Sequence, residues 1–177
     1  MADSILTIEE IIERMLDIFK AKYTLEKSKH PASFKAPIMV DEHFMFGNPA
    51  IIPQSDAVVV FADDMDVIDS EGWSAVSFPG CCTFQEAIIH VRWYHKDHEQ
   101  ARGHRVIYQM GEILKRILLR NKRLVLFGDG LIHGLMIERI IYGEQIRDAY
   151  EGPRVHYPSG DMLVRVFYAE GLDADIT

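Results

Sequence analysis

Three histidines and two carboxylates near the middle of the chain have side chains that could do chemistry. His95, His98 and His104 lie close to Asp97 and Glu99 in the sequence. Two imidazoles and a carboxylate near the start of a helix are a ligand set that can hold zinc. The spacing here, His-x-x-His followed six residues later by a third histidine, matches no established zinc motif. We therefore expect solvated histidines at a strand-to-helix junction, with no metal or other cofactor.

A second set of candidate metal ligands consists of the carboxylates Asp63, Asp64 and Asp66. Oxygen ligands of this kind bind calcium or magnesium. The EF-hand pattern fails here because its glycine and its closing glutamate are missing. The pattern instead indicates a solvated acidic loop between two antiparallel strands, 57–61 and 73–78.

The segment 127–134, Phe-Gly-Asp-Gly-Leu-Ile-His-Gly, looks at first like a phosphate-binding loop. The third glycine of G-x-G-x-x-G would fall at His133, and the residues that follow predict a strand where a phosphate site needs a helix N-terminus. Asp-Gly between apolar runs is typical of a hairpin, here joining 124–127 to 135–142. The sequence also contains no Gly-x-Ser-x-Gly, no spaced cysteine pair and no His-Glu-x-x-His. No enzyme class is indicated.

Hydrophobic periodicity predicts the elements that would position these residues. A capping box at 7–10 starts an amphipathic helix that we expect to end near Lys22. A half-buried strand at 87–94 precedes a long amphipathic helix at 97–121, and a last strand covers 162–168. The segment 143–160 is polar and predicts turns. This order predicts a single α+β domain over 1–177, with a mostly antiparallel sheet packed by an N-terminal helix and one long central helix.

The segment 24–56 has the composition of neither a helix nor a solvated linker. It contains four prolines together with apolar side chains such as Phe44 and Phe46. A segment of this kind is most often a loop packed on its own core. The alternative is an extended arm or hairpin that completes its burial against another subunit.

Charge is distributed unevenly along the chain. The net charge of −8 argues against a nucleic-acid-binding protein. Between Lys35 and Arg92 there are nine acids and no base, whereas the segment 97–123 has seven bases and three acids. The basic side chains of the long helix include Arg102, Arg105, Arg116 and Arg120. They predict a solvated or internally paired face, a contact with another subunit, or, least favoured, a contact with nucleic acid.

Targeting signals and cysteines point to a soluble, unsecreted protein. The first residues lack the basic and apolar regions of a signal peptide, and no apolar run approaches the ~18 residues that a membrane span needs. The only cysteines, Cys81 and Cys82, are adjacent. Adjacent cysteines do not form a spaced disulfide framework, so we expect thiols in a reducing compartment.

The order of elements resembles the tail-terminator and neck, or head-to-tail joining, proteins of tailed phages. The resembling parts are the helix at 8–19, the strand at 88–94, the helix at 101–121 with its Gly-Asp-Gly turn, and the strands at 136–142 and 162–168. The resemblance covers about two thirds of the chain as a pattern, without an invariant motif.

The resemblance implies a structural function in the virion tail or neck, after assembly in the host cytoplasm. Copies would form a ring, commonly six-fold in that family, that caps the tail tube and joins it to the head. The implied partners are the tail tube protein and a head-side connector, and no catalytic residue carries over. The implied subunit interface pairs the arginines of the long helix with Asp63, Asp64 and Asp66, and includes Phe44 and Phe46. The competing interpretation is a small cytoplasmic enzyme or binding domain.

Overall fold

The computed structural model describes residues 6–47, 55–62, 82–124, 132–147 and 155–171. Within these ranges the chain forms two long helices, one 3-10 turn and a single five-stranded sheet. In chain order the elements are α1 (Ile8–Ser28), the 3-10 turn (Asp41–His43), β1 (Phe44–Phe46), β2 (Ala57–Phe61), β3 (Cys82–Tyr94), α2 (Gln100–Arg120), β4 (Ile132–Arg147) and β5 (Val155–Gly171). The predicted α+β class, with an N-terminal helix and a long central helix, is confirmed.

The strands lie in the order β1-β2-β3-β5-β4. Only β1 and β2 run parallel, and the other neighbouring pairs are antiparallel. The ladder between β3 and β5 runs from Cys82 opposite Gly171 to Tyr94 opposite Ser159. Because β3 and β5 are both long, the middle of the sheet is a continuous platform for the helices.

Helix α1 begins where the sequence predicts. The Glu10 amide donates to Thr7 Oγ1 at 3.2 Å, and the Thr7 amide donates to Glu10 Oε2 at 2.8 Å, which completes the capping box. The helix ends at Ser28, six residues beyond the predicted end at Lys22. It continues because Tyr23 and Glu26 keep the buried face of the helix.

Helix α2 packs on the sheet through a buried stripe, and Trp93 of β3 locks the two together. The indole Nε1 of Trp93 donates to the carbonyl oxygen of Ile107 at 2.9 Å. The predicted alternation of β3 is confirmed, because Ile89, Val91 and Trp93 are fully buried on the helix side. The main core therefore lies between this face of the sheet and the two helices.

The prediction of a turn-rich segment at 143–160 is wrong for 143–147 and 155–160, whereas 148–154 lie outside the described residues. Strand β4 continues to Arg147 and β5 begins at Val155, and the two stay paired from Tyr142 opposite Gly160 to Arg147 opposite Val155. The start of β5 is also held from its other side, since the His95 amide donates to the Pro158 carbonyl at 3.1 Å. Pairing on both sides overrides the local preference of glycine, proline and polar residues for turns.

Residues 29–47 pack on the core of their own chain. Ala36, Met39 and Phe44 are each at most 6% exposed and belong to the main core cluster. Several predicted features lie outside the described residues: the strand at 73–78, Cys81 and the Gly-Asp-Gly turn. Of the strand predicted at 124–127, only Leu124 is described, and it is not in a strand. No described helix is both long and apolar enough to cross a membrane.

Candidate functional site

Three of the four arginines proposed for a subunit interface bind carboxylates of their own chain. Arg102 makes two hydrogen bonds to Asp97, at 2.7 and 2.5 Å. One turn before the end of α2, Arg116 Nε donates to Glu112 Oε1 at 2.7 Å. These two contacts are local, within five residues along the chain. They show the internal pairing that was one of the three alternatives for the basic face.

The third, Arg120, makes the long-range contact of the set. Its guanidinium donates to Glu26 Oε2 of α1 at 2.5 Å, and Lys29 donates to the same oxygen at 2.8 Å. Glu26 is only 3% exposed. Burial raises the pKa of Glu26, but the hydrogen bond from Lys29 and the charge of Arg120 outweigh it, so the pKa lies below the usual value. Arg105, the fourth arginine, is exposed.

The other proposed interface residues divide into one buried, one exposed and three outside the described part of the chain. Phe44 is 6% exposed, stacks on Phe19 and meets Tyr23 edge to face. Phe46 is 54% exposed. Of the two phenylalanines only Phe46 is therefore available at the surface. The acids Asp63, Asp64 and Asp66 lie outside the described residues.

The expectation of solvated histidines is wrong for His95. Its Nδ1 lies 2.5 Å from Asp56 Oδ1, its Nε2 lies 3.4 Å from Asp97 Oδ2, and its side chain is 15% exposed. Burial lowers the pKa of His95, but hydrogen bonds and charges from Asp56 and Asp97 outweigh it, so the pKa lies above the usual value. Hydrogen bonds from Arg102 hold the pKa of Asp97 well below its usual range.

The three histidines do not converge on one point. His98 is exposed, and the half-buried His104 lies beside Tyr108, with ring centroids 6.4 Å apart. No group of three metal-ligating side chains occurs among the described residues. The partner that matters for His95 is Asp56, which lies 39 residues away in sequence. Only the pairing of β2 with β3 brings it near, and no local sequence signal indicates it.

A second polar cluster, which the sequence did not predict, lies on the face of the sheet away from the helices. Asp161 of β5 accepts hydrogen bonds from Arg92 Nε at 2.9 Å and Arg92 Nη2 at 2.5 Å, and its Oδ1 lies 3.2 Å from His90 Nδ1. The His90 ring stacks on Phe61 at 5.0 Å, and the Arg92 guanidinium lies 5.0 Å from the same ring. The alternation of β3 puts His90 and Arg92 on one face, and the register places Arg92 opposite Asp161.

This second cluster ties three strands together. Burial raises the pKa of Asp161, but hydrogen bonds and charges from His90 and Arg92 outweigh it, so the pKa lies below the usual value. The charged groups satisfy one another, and the arginine and histidine cover the ring of Phe61. The arrangement accounts for stability across β2, β3 and β5, and it presents no activated nucleophile.

The outer strand of the sheet exposes apolar side chains. Among the described strands β4 lies at the edge, with β5 as its partner. Met136 and Ile141 of β4 are 48% and 51% exposed, and Phe167 of β5 is 37% exposed. The register places Met136 opposite Arg165 and Ile141 opposite Asp161, so these apolar side chains share the face away from the helices. Exposed apolar side chains at a sheet edge are available for contact with another protein.

No protein-family model matches the chain, and no curated protein matches it in sequence.

Proposed function

We propose that the protein is a structural component of a tailed-phage virion, forming a ring that terminates the tail tube and joins it to the head. The proposal rests on the order of elements along the chain, which resembles that of tail-terminator and neck proteins. The observation that carries the proposal is the exposed apolar surface at the β4 edge, made by Met136, Ile141 and Phe167. Apolar side chains in that position are expected to be buried by another protein.

An irregularity in the middle of β4 indicates how a partner would contact this surface. The register between β4 and β5 has an irregularity between Ile137 and Arg139. Glu138, at this irregularity, forms an ion pair with Arg165 of β5. Bulges and charged pairs discourage simple addition of a further strand. We therefore expect this surface to dock by side-chain packing on its face. The proposed partners are copies of the same chain, the tail tube protein and the head-side connector.

Electron microscopy of tail tubes assembled with this protein tests the proposal. We expect a ring at one end of each tube, with a mass of several copies by light scattering of the detached complex. Met136→Lys combined with Ile141→Lys should remove the ring, because two ammonium groups would replace the apolar contact. Ile38→Lys is the matched control, since Ile38 is 73% exposed and lies on another part of the molecule.

Tubes that carry this protein at neither end, even when it is added in large excess, would count against the function. That result would favour the alternative of a small cytoplasmic enzyme or binding domain. Equal tube capping by wild type and by the Met136→Lys, Ile141→Lys double variant would instead show that the β4 surface is not the contact, and the function would stand.

A further inference from the structure

A groove of about 450 Å³ runs beside the N-terminal half of α1, where this helix meets β1. It is lined by the apolar side chains of Leu16, Phe44 and Phe46 and by the charged side chains of Glu9, Glu13, Asp17 and Lys20. Leu16 and Phe44 are almost fully buried, whereas Phe46 is 54% exposed. Phe46 therefore gives the groove an accessible apolar contact.

The charges along the groove define what it would accept. Glu9, Glu13 and Asp17 recur every four residues, so they lie on one face of α1, and all three are exposed. Three carboxylates against one ammonium leave the groove negative. An apolar surface edged by carboxylates is complementary to a segment that combines an apolar side chain with several positive charges.

The end of α2 has those properties. A shallow depression of about 380 Å³ there is lined by Leu119, Arg120, Asn121, Lys122 and Arg123. Leu119 is 43% exposed, and Lys122 and Arg123 are exposed. Arg120 forms an ion pair with Glu26 of its own chain. Leu119, Lys122 and Arg123 are therefore the side chains at this end of α2 that a partner could contact.

The two surfaces lie along different parts of α1. Arg120 contacts Glu26 near the C-terminal end of α1, whereas the groove lies along residues 9–20. Glu26 is nine residues beyond Asp17, a rise of about 13 Å along a helix at ~1.5 Å per residue. We therefore look for the pairing between the cationic end and the groove across two molecules.

We propose that the cationic end of α2, formed by Leu119, Lys122 and Arg123, docks in the acidic groove between α1 and β1 of a second copy of this chain. The contact joins two different surfaces, so it is head-to-tail and closes into a ring when the rotation between copies allows. This inference rests on the proposed ring and names the contact that would build it.

Two charge-reversed variants test the pairing. The groove variant carries Glu9→Lys, Glu13→Lys and Asp17→Lys, and the helix-end variant carries Lys122→Glu and Arg123→Glu. Each variant alone puts like charges in the contact, so we expect its dissociation constant to rise at least about tenfold. An equimolar mixture restores opposite charges at every contact and should assemble into rings in which the two variants alternate. Sedimentation velocity measures both outcomes.

Glu99→Lys and Lys96→Glu are the controls, because both side chains are exposed and lie before α2, away from the groove. They should assemble like the wild type. Circular dichroism checks that each variant is folded, which we expect since every changed side chain is exposed.

Three results overturn the inference. They are wild-type protein that stays monomeric or stops at two copies, reversed variants that assemble as well as wild type, and a mixture that fails to restore assembly. Tube capping seen by electron microscopy is a separate readout. If capping persists while any of these results holds, this contact is wrong and the proposed function stands.

Discussion

The Nδ1 atom of His95 lies 2.5 Å from Oδ1 of Asp56, and this contact ties the start of β2 to the connection between β3 and α2. The other ring nitrogen faces Asp97, which also receives two hydrogen bonds from Arg102 and one from the Glu99 amide. One histidine thus sits between two carboxylates at the point where the chain leaves the sheet for the helix.

The loss of stability caused by replacing His95 should be larger at low pH than at high pH. Because the pKa of folded His95 is raised, its contribution is fully present below the unfolded value of about 6.5 and is lost as the pH rises through the folded pKa. We expect His95→Gln to lower the free energy of unfolding by about 1–2 kcal/mol at pH 6 and by less at pH 9. Urea denaturation at the two pH values measures this. His98→Gln, at an exposed position, is the control, and a loss equal at both pH values would contradict the prediction.

Gly160 packs so closely on Trp93 that a side chain at position 160 should destabilise the fold. A Cβ at Gly160 would overlap the indole of Trp93, which α2 holds from its other side through Ile107. We expect Gly160→Ala to lower the free energy of unfolding by at least about 2 kcal/mol, since the ring has to move out of a packed core. At Gly143 on β4 the nearest atom to a Cβ is Ser159 Oγ at 3.8 Å, so Gly143→Ala is the matched control. Equal midpoints for the two variants in chemical denaturation would show that the indole can shift freely.

Arg120 should stabilise the fold through Glu26. Removing the guanidinium leaves a buried carboxylate whose remaining ion pair, among the described residues, is with Lys29. We expect Arg120→Ala to lower the free energy of unfolding by about 1–2 kcal/mol at pH 7, a figure that allows for the half-exposed arginine.

The pH dependence of this variant has the opposite sign to that of His95. The lowered pKa of Glu26 means that the contribution is present above the unfolded pKa of a glutamate and is lost as the pH falls through the folded value. The gap between wild type and Arg120→Ala should therefore close in acid. Arg105→Ala, at an exposed position on the same helix, should change stability little at either pH. Thermal unfolding at several pH values compares the three proteins.

Sequence patterns predicted the features of this fold that depend on interactions between residues close together in the chain. The capping box at Thr7 and Glu10 marks the start of α1, and the alternation along β3 gives the buried face. The prediction failed at 155–160 because Pro158 and Gly160 are held in β5 between two neighbouring strands, which composition does not reveal.

The candidate sites were harder to predict than the elements. The carboxylates that engage His95, Arg92 and Arg120 include Asp56, Asp161 and Glu26, at separations of 39, 69 and 94 residues. Each contact depends on which strands or helices become neighbours. A charge count therefore identifies the arginines of α2, but it does not indicate that Arg120 is bound to a buried glutamate of α1.

Residues 29–47 should behave as part of a single copy, whether or not a ring has formed. Met39 is 5% exposed in the core, whereas its neighbour Ile38 is 73% exposed. We expect Met39→Ala to lower the free energy of unfolding by about 2–4 kcal/mol and Ile38→Ala to leave it nearly unchanged. The loss should be the same at low and high protein concentration, because the side chain is buried against its own chain. Denaturation over a hundredfold range of concentration measures it, and a loss that appears only when the protein is concentrated would show that the segment is exchanged between subunits as an arm.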